Sequence, residues 1–305
     1  MRNFLKDAYL KYSWIRSLIN PMLKFRNLIL PEKFRLKKRF KRRLGYSLNL
    51  KNPTTFNEKI QWLKINNRTT LHPICADKYT VRNYIKEVIG EEYLIPLVFS
   101  SENLNDVQPE VLPNFPFILK TNHDSSGGEF VWDKSKVDWD KLRNSLSNRL
   151  NLNYSIFGKG EWQYASIKPM ILGERLLITE EGDIPADFKM HCFNGKLKFT
   201  QVDSDRQTNH TRNLYDKDWN LMPVRWLYKN GGLTEKPIVY EKMISIAETI
   251  AQKFVYIRVD LYVVRSKIYF GELTFHSDSG NGKFIPKEWD AKFGQMLELT
   301  ELGLN

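Results

Sequence analysis

Two carboxylates stand where an apolar strand would not ordinarily carry them. Residues 255–264 (VYIRVDLYVV) and 267–275 (KIYFGELTF) read as two strands joined by a tight connection near Ser266. A turn centred there sets Asp260 opposite Glu272 and Arg258 opposite Thr274, all four on one face. Like charges directly opposed in an antiparallel pair repel, and carboxylates are rarely buried without a partner, so something cationic must compensate. Either Arg258 supplies a structural ion pair, or the two carboxylates suit Mg²⁺, a cation that keeps several waters and binds substrate phosphates.

Two further constellations bear on that choice. Lys120 ends the apolar run FPFILKT and is followed by TNHDSSGG, which holds Ser125, Ser126, Gly127 and Gly128, and then by EFVW. A P-loop keeps its lysine inside the loop and runs into a helix, so this is not one; a flexible hairpin loop of this kind can still fold backbone N–H groups and hydroxyls over phosphates. A plain turn with a surface lysine is the other reading. At Asn194 and Gly195 stands the strongest short hairpin signal in the chain. Counting outward pairs Cys192 with Leu197 and Met190 with Phe199 as an apolar face, which leaves Asp187, Lys189 and His191 on the opposite one. That face meets solvent, or it lines a cleft in which Lys189 meets an anion. The histidines (72, 123, 191, 210 and 276) show no zinc-ligand spacing, no GxSxG or Cys/His signature appears, and Cys75 and Cys192 stand alone.

The elements that must position these residues form an α+β order. Thr55 and Glu58 make a capping box opening a helix to about residue 65, and a second helix is expected over about 76–89, ended by Gly90. Strands are expected at FPFILKT and EFVW, a helix over about 138–150, strands over about 168–178, 186–193 and 196–202, a polar loop over 203–235, and a helix over 236–253 before the last hairpin. The formal charge of +12 is uneven: residues 1–43 hold 14 Lys/Arg against Asp7 and Glu32, so the remainder is neutral. A basic, aromatic-bearing arm on a neutral body fits peripheral contact with an anionic membrane face, each basic residue contributing about 1 kcal/mol near the surface. RNA and a merely solvated helical face are the other readings of the arm; no nucleic-acid partner is expected. No apolar run approaches the roughly 18 residues of a membrane span, and the expected setting is the cytoplasm.

Taken together, Lys120 with its Gly-rich loop, ILGERLL, DFKMHCFNG and the RVDLYVV…YFGELT hairpin resemble the ATP-grasp superfamily. NPTTFNEKIQWLK (52–64), ADKYTVRNYI (76–85), FILKTNH (117–123) and YFGELTF (269–275) look like its TupA-like branch, which is found with teichuronopeptide and polysaccharide biosynthesis. The resemblance covers roughly residues 50–295. It implies an ATP-grasp fold, two α+β subdomains holding ATP between antiparallel sheets, with a helical segment (51–112) ahead of a catalytic domain (113–300), and it leaves the basic helical arm (1–50) unexplained. It also implies that Lys120 and Lys189 contact ATP phosphates, that residues 125–128 close over them, and that Glu174, Leu176 and their neighbours to residue 177 meet the adenine. Asp187 looks like the ribose-side or phosphate-side acid, with Glu181 competing for that role. Asp260 and Glu272 would hold Mg²⁺ and Arg258 would stabilise a developing acyl phosphate. Many relatives carry Asn where Thr274 stands, which puts a second metal position in doubt. Arg206, His210 and Arg212, and His276, Ser277 and Ser279, fall where acceptor contacts are expected.

The implied activity is ATP-dependent carboxylate–amine ligation through an acyl phosphate. The expected substrates are an amino-acid or peptide amine and a uronic acid of a surface-polysaccharide precursor, such as capsule or O-antigen. Glycosyl transfer would leave the two lysines and the Gly-rich loop unexplained; a non-catalytic membrane or RNA scaffold would rest on the arm alone.

Overall fold

A computed structural model of the chain describes Tyr9 and residues 12–123, 128–152, 159–204 and 209–299. In chain order the helices are α1 (Ser13–Ile29), α2 (Glu32–Leu44), α3 (Phe56–Asn66), α4 (Leu71–Ala76), α5 (Val81–Val88), α6 (Trp139–Leu150), α7 (Tyr240–Ala251) and α8 (Glu288–Met296). The strands are β1 (Leu97–Ser101), β2 (Phe117–Thr121), β3 (Glu129–Val131), β4 (Ile171–Arg175), β5 (Asp187–Phe193), β6 (Lys196–Ser204), β7 (Thr211–Tyr215), β8 (Arg225–Trp226), β9 (Tyr256–Val264), β10 (Lys267–Thr274) and β11 (Phe284–Ile285). They fall into two compact units, one of Met1–Arg35, Pro73–Val81 and Ile95–Leu176, the other of Leu36–His72, Arg82–Leu94 and Leu177–Asn305.

The first unit is built on an antiparallel sheet in the order β1-β4-β2-β3. Its alternation is that of a sheet covered on one face: Phe117, Leu119 and Thr121 are buried while Ile118 and Lys120 are half-buried. Asp138 caps α6 by accepting from the Lys141 N–H, and Leu142 and Leu146 of that helix pack on Phe117, Leu119, Val131 and Ile171.

The second unit carries an antiparallel sheet in the order β10-β9-β5-β6-β7. Helix α7 covers one face with Tyr240, Met243, Ile244 and Ile250 buried, and Tyr240 and Thr200 share a hydroxyl–hydroxyl bond of 2.9 Å. The aromatic part of the other face is closed by α3 and α8, where Phe56 stacks on Phe193 at 5.5 Å among Phe199, Trp226, Tyr256 and Phe293. The capping box opens α3 as expected, and Glu58 further accepts from the Asn49 and Thr54 N–H groups.

Four expectations need correction. The helix over 76–89 starts later, as α5 at Val81, because the Asp77 carboxylate takes the Tyr79 N–H (2.8 Å) and Asn122 Nδ2 (2.9 Å) and turns the chain after α4. The loop over 203–235 contains β7 and β8. The strand over 168–178 is shorter, Ile171–Arg175. Cys192 does pair with Leu197, but a bulge then leaves Lys198 unpaired, so Met190 faces Thr200 and Phe199 faces His191.

Candidate active site

A bulge decides which residues of the last hairpin reach the charged face. The turn itself is Arg265 and Ser266, both at positive φ, so Lys267 pairs with Val264 and Phe270 with Leu261. Continued unbroken, that register would put Gly271 opposite Asp260 and send Glu272 to the α7 side. Gly271 is instead the extra residue, and beyond it Glu272 faces Asp260 and Thr274 faces Arg258. A Cβ at Gly271 would lie 2.8 Å from Tyr262 Cε2 and 3.1 Å from the Asp260 carbonyl oxygen.

Lys189 of β5 pairs with Asp260, so five charges share this face. Arg258 donates Nε to Asp260 Oδ1 (2.6 Å), and Nη2 to Asp260 Oδ2 (2.6 Å) and Glu272 Oε1 (2.9 Å). Lys189 donates to the Asp187 carboxylate and lies 3.8 Å from Asp260 Oδ2, while the Thr274 hydroxyl is 3.4 Å from Glu272 Oε1. Asp260 is 2 % exposed. Burial pushes its carboxyl up to about 7, with Arg258 and Lys189 pulling down and Asp187 and Glu272 adding to the rise. Burial also works against the charge on Arg258, but its carboxylate neighbours outweigh it and hold that guanidinium well above its ordinary value.

Two carboxylates directly opposed repel, and the more buried of them, Asp260, is reluctant to ionise. A divalent cation between Asp260 and Glu272 answers both. Among the described residues no group of three or more His, Cys, Asp or Glu side chains forms a metal cage. Hard oxygen ligands from one or two carboxylates are nevertheless the donor set Mg²⁺ uses when phosphates and water complete its shell.

The polar face continues across the sheet. His191 Nε2 bonds Gln201 Oε1 (3.2 Å), Gln201 Nε2 donates to Asp203 Oδ2 (3.0 Å), and the Tyr256 hydroxyl bridges His191 Nδ1 (2.9 Å) and Ser277 Oγ (2.7 Å). Arg212 is clamped on the protein's own carboxylates: Nε to Asp203 Oδ1 (2.7 Å), Nη2 to Asp203 Oδ2 (3.2 Å) and Nη1 to Asp278 Oδ2 (3.0 Å). Its guanidinium also lies 4.9 Å from the Tyr228 ring, on which His210 stacks at 3.7 Å.

Asp278 belongs to a strained segment in which it, Ser279 and Gly280 have φ of 45°, 55° and 56°. Two non-glycine residues in that region cost about 1 kcal/mol or more each and persist only where neighbours hold them. Arg212 holds Asp278, and α3 holds the rest: buried Lys64 donates to Ser279 O and Oγ (both 2.8 Å), and Gln61 Nε2 to Ser279 O (2.9 Å) and Gly280 O (2.7 Å). Ser277 and Ser279 are thus buried and tied into the protein, whereas His276 is buried with its Nδ1 unpartnered.

In the first unit Lys120 Nζ meets Glu174 Oε2 at 2.5 Å, with both side chains largely buried on β2 and β4. Leu176 is buried and its N–H donates to Pro116 O (3.0 Å). Gly128 lies against β2, where a Cβ would meet the Leu119 carbonyl at 3.0 Å. Ser125, Ser126, Gly127 and Arg206 lie outside the described residues. Sequence reasoning missed Gln201, Asp203, Gln61, Lys64 and Gly271; the alternation that exposed Lys189 extends to the first two, whereas nothing in α3 announces that its polar residues are buried.

Comparison with solved structures gives similarities of low identity. The chain is 17% identical to a D-alanine–D-alanine ligase from Bacillus anthracis complexed with ATP, covering 66% of this chain and 54% of that one at a TM-score of 0.40. It is 10% identical to the ATP-grasp ligase PsnB complexed with minimal precursor, Mg and ADP (72% and 57%, TM-score 0.38), and 14% identical to a D-alanine–D-alanine ligase from Helicobacter pylori (82% and 69%, TM-score 0.43). At TM-scores of this size none of them bears on this chain's chemistry, and the chain spans under two thirds of the first two. No curated protein matches it. A family profile, in contrast, matches residues 58–298, which include most of α3, both sheets and the charged face just described. On that match the chain belongs to the TupA-like ATP-grasp family.

Proposed function

We propose that the protein is an ATP-dependent ligase that joins a carboxylate to an amine through an acyl phosphate. The observation that carries the reading is the face on which Asp187, Lys189, Arg258, Asp260 and Glu272 meet, with Asp260 buried and opposed to Glu272. In this reading Asp260 and Glu272 hold Mg²⁺, with Thr274 beside them, and the metal supplies charge neutralisation at the phosphate oxygens. Lys189 and Lys120 bind phosphates, with residues 125–128 closing over them. Glu174 and Leu176 meet the adenine, and Asp187 serves on the ribose or phosphate side. Arg258 stabilises the charge that develops when the substrate carboxylate attacks the γ-phosphate; ADP leaves, and the amine then displaces phosphate. Little covalent chemistry falls to the protein, because such transfers are accelerated chiefly by positioning and charge neutralisation.

The substrates follow from the family's association rather than from the site: a uronic acid of a bacterial surface-polysaccharide precursor and an amino-acid or peptide amine. We place the reaction in the cytoplasm, with peripheral contact at the inner membrane face through residues 1–43.

The test is phosphate release from ATP and Mg²⁺, screened with pooled amino acids in the presence and absence of a uronic-acid glycan or UDP-uronic acid. Release is expected to require both an acid and an amine. Asp260→Asn and Glu272→Gln are each expected to lower it by about 1000-fold or more while the proteins still fold. Full activity in either variant removes the metal assignment, and release that needs no amine removes the ligase.

A further inference from the structure

Helix α1 turns a stripe of large apolar side chains outward. Trp14, Leu18, Met22, Phe25, Leu28 and Ile29 are 63%, 63%, 70%, 64%, 84% and 57% exposed. At helical spacing they fall within about a third of the helix circumference, a continuous apolar stripe. The opposite side carries the polar contacts that tie α1 to its own unit. Arg16, 5% exposed, donates Nη1 to the Tyr9 carbonyl (3.2 Å) and Nη2 to Asn148 Oδ1 on α6 (2.7 Å), and the Tyr9 hydroxyl donates to Asn20 Oδ1 (2.6 Å). A helix at a water-facing surface puts its apolar stripe inward; this one half-buries Ile15, Ile19 and Leu23 beside a buried arginine and still leaves a tryptophan and a phenylalanine outside.

Charge identifies what the stripe meets. Lys24 on α1 and Lys33, Lys37, Lys38, Lys41, Arg42 and Arg43 on α2 are exposed, within a segment that holds 14 basic residues against two acidic ones. A second copy of the chain would bring two such segments together and repel. RNA would use the charge and leave the stripe in water. A phospholipid surface with anionic headgroups over an acyl boundary uses both, as interfacial amphipathic helices do. Among the described residues no helix is long and apolar enough to cross a membrane, and α1 has 17 residues, so it would lie along the surface rather than span it.

We propose that α1 lies in the surface of an anionic phospholipid membrane, its apolar stripe in the acyl boundary, with the basic charge of residues 1–43 supplying the attraction to the headgroups. This gives a face to the peripheral contact in the reading above, on which it builds, and it does not depend on the ligase activity.

The experiment is flotation of the full chain with vesicles of phosphatidylglycerol and phosphatidylcholine, against vesicles of phosphatidylcholine alone. ATP-dependent phosphate release is measured on the same preparation, so that failure of the ligase and failure of the membrane site are read separately. Flotation with the anionic vesicles is expected, about 10-fold weaker with phosphatidylcholine alone, and about 10-fold weaker for Leu18→Asp/Phe25→Asp and for Lys37→Glu/Lys38→Glu/Lys41→Glu. Far-ultraviolet circular dichroism should stay unchanged, because all the substituted side chains are exposed. Quenching by brominated lipid is expected to fall when Trp14→Phe removes the reporter on the stripe. Absence of flotation overturns the proposal. So does flotation that survives Leu18→Asp/Phe25→Asp, which would mean adhesion by charge alone. Self-association abolished by that pair, without vesicle binding, would assign the stripe to a second copy and overturn it equally.

Discussion

Hairpins β5–β6 and β9–β10 lie in the same sheet, and each turns through two residues of positive φ: Asn194 (48°) and Gly195 (75°) in the first, Arg265 (51°) and Ser266 (61°) in the second. Each also carries one extra residue, with different consequences. In β5–β6 the bulge at Lys198 brings Phe199 over His191, stacked at 4.2 Å, and so builds the aromatic core. In β9–β10 the bulge at Gly271 brings Glu272 opposite Asp260 and so builds the charged face. A turn sets register only as far as the first bulge, and in this sheet the bulges choose which side chains reach the face that carries chemistry.

Gly271→Val is the strongest way to break that arrangement. A β-branched residue favours regular pairing, and the new Cβ crowds Tyr262 and the Asp260 carbonyl, so the bulge is expected to straighten and turn Glu272 toward α7. Phosphate release should fall by about 100-fold or more, against a stability loss of about 1–3 kcal/mol in urea unfolding. Deletion of Gly271 makes the contrary forecast: Glu272 then follows Phe270 directly, still faces Asp260, and activity should exceed that of the valine variant. A valine variant as active as the parent would show that the bulge does not place Glu272.

Much of this was readable where a residue was locally anomalous. Asp260 and Glu272 announced themselves as carboxylates in apolar strands, Asn194 and Gly195 as a turn, Thr55 and Glu58 as a cap. The expected pairing of Glu272 with Asp260 held although the assumed turn was one step off, because Gly271 made up the difference. The same counting failed at Met190 and Phe199, where Lys198 gives no such sign. Strand β7 was hidden because Arg212 and Asn213 look like loop residues; partners distant in sequence, Asp278 for Arg212 and Gly232 for Asn213, make their burial tolerable. In α3 the apolar spacing was visible, but the burial of Gln61 and Lys64 depends on a segment more than 200 residues away.

The bulge at Lys198 also buries a titratable group, and acid should expose it. Burial holds His191 well below its ordinary value, with Arg258 adding to the effect, and holds His72 at about 4. An imidazole depressed in the folded state contributes stability above its unfolded value of about 6.5, and that stability is lost as pH falls because only the unfolded chain takes up the proton. Each histidine should therefore cost up to about 1.4 kcal/mol per pH unit below 6.5. Asp260, at about 7, and Asp290, raised by its own burial, work in the opposite direction and are common to parent and variant. In urea unfolding at pH 7.5, 6 and 5 the difference between parent and His191→Asn is expected to shrink with acid by about that slope, and likewise for His72→Phe. A difference that stays constant for His191→Asn would mean that the imidazole is not buried as a neutral group.

The smallest effects are expected at the turns and separate them from the bulges. Ser266 holds φ of 61° with a side chain, so Ser266→Gly should stabilise the hairpin by about 0.5–1 kcal/mol, since glycine reaches that region without steric cost. Gly195→Ala should cost a similar amount by the same reasoning, because its Cβ would stand 3.4 Å from Gln252 Nε2, an ordinary contact that leaves only the backbone term. Neither turn touches the charged face, and a bulge lies between each turn and Lys189 or Glu272, so both variants should release phosphate at the parent rate while melting apart in opposite directions. A change in rate with Ser266→Gly would mean that register passes through Gly271 from the turn, and the bulge would then follow the tip of the hairpin instead of fixing the site independently of it.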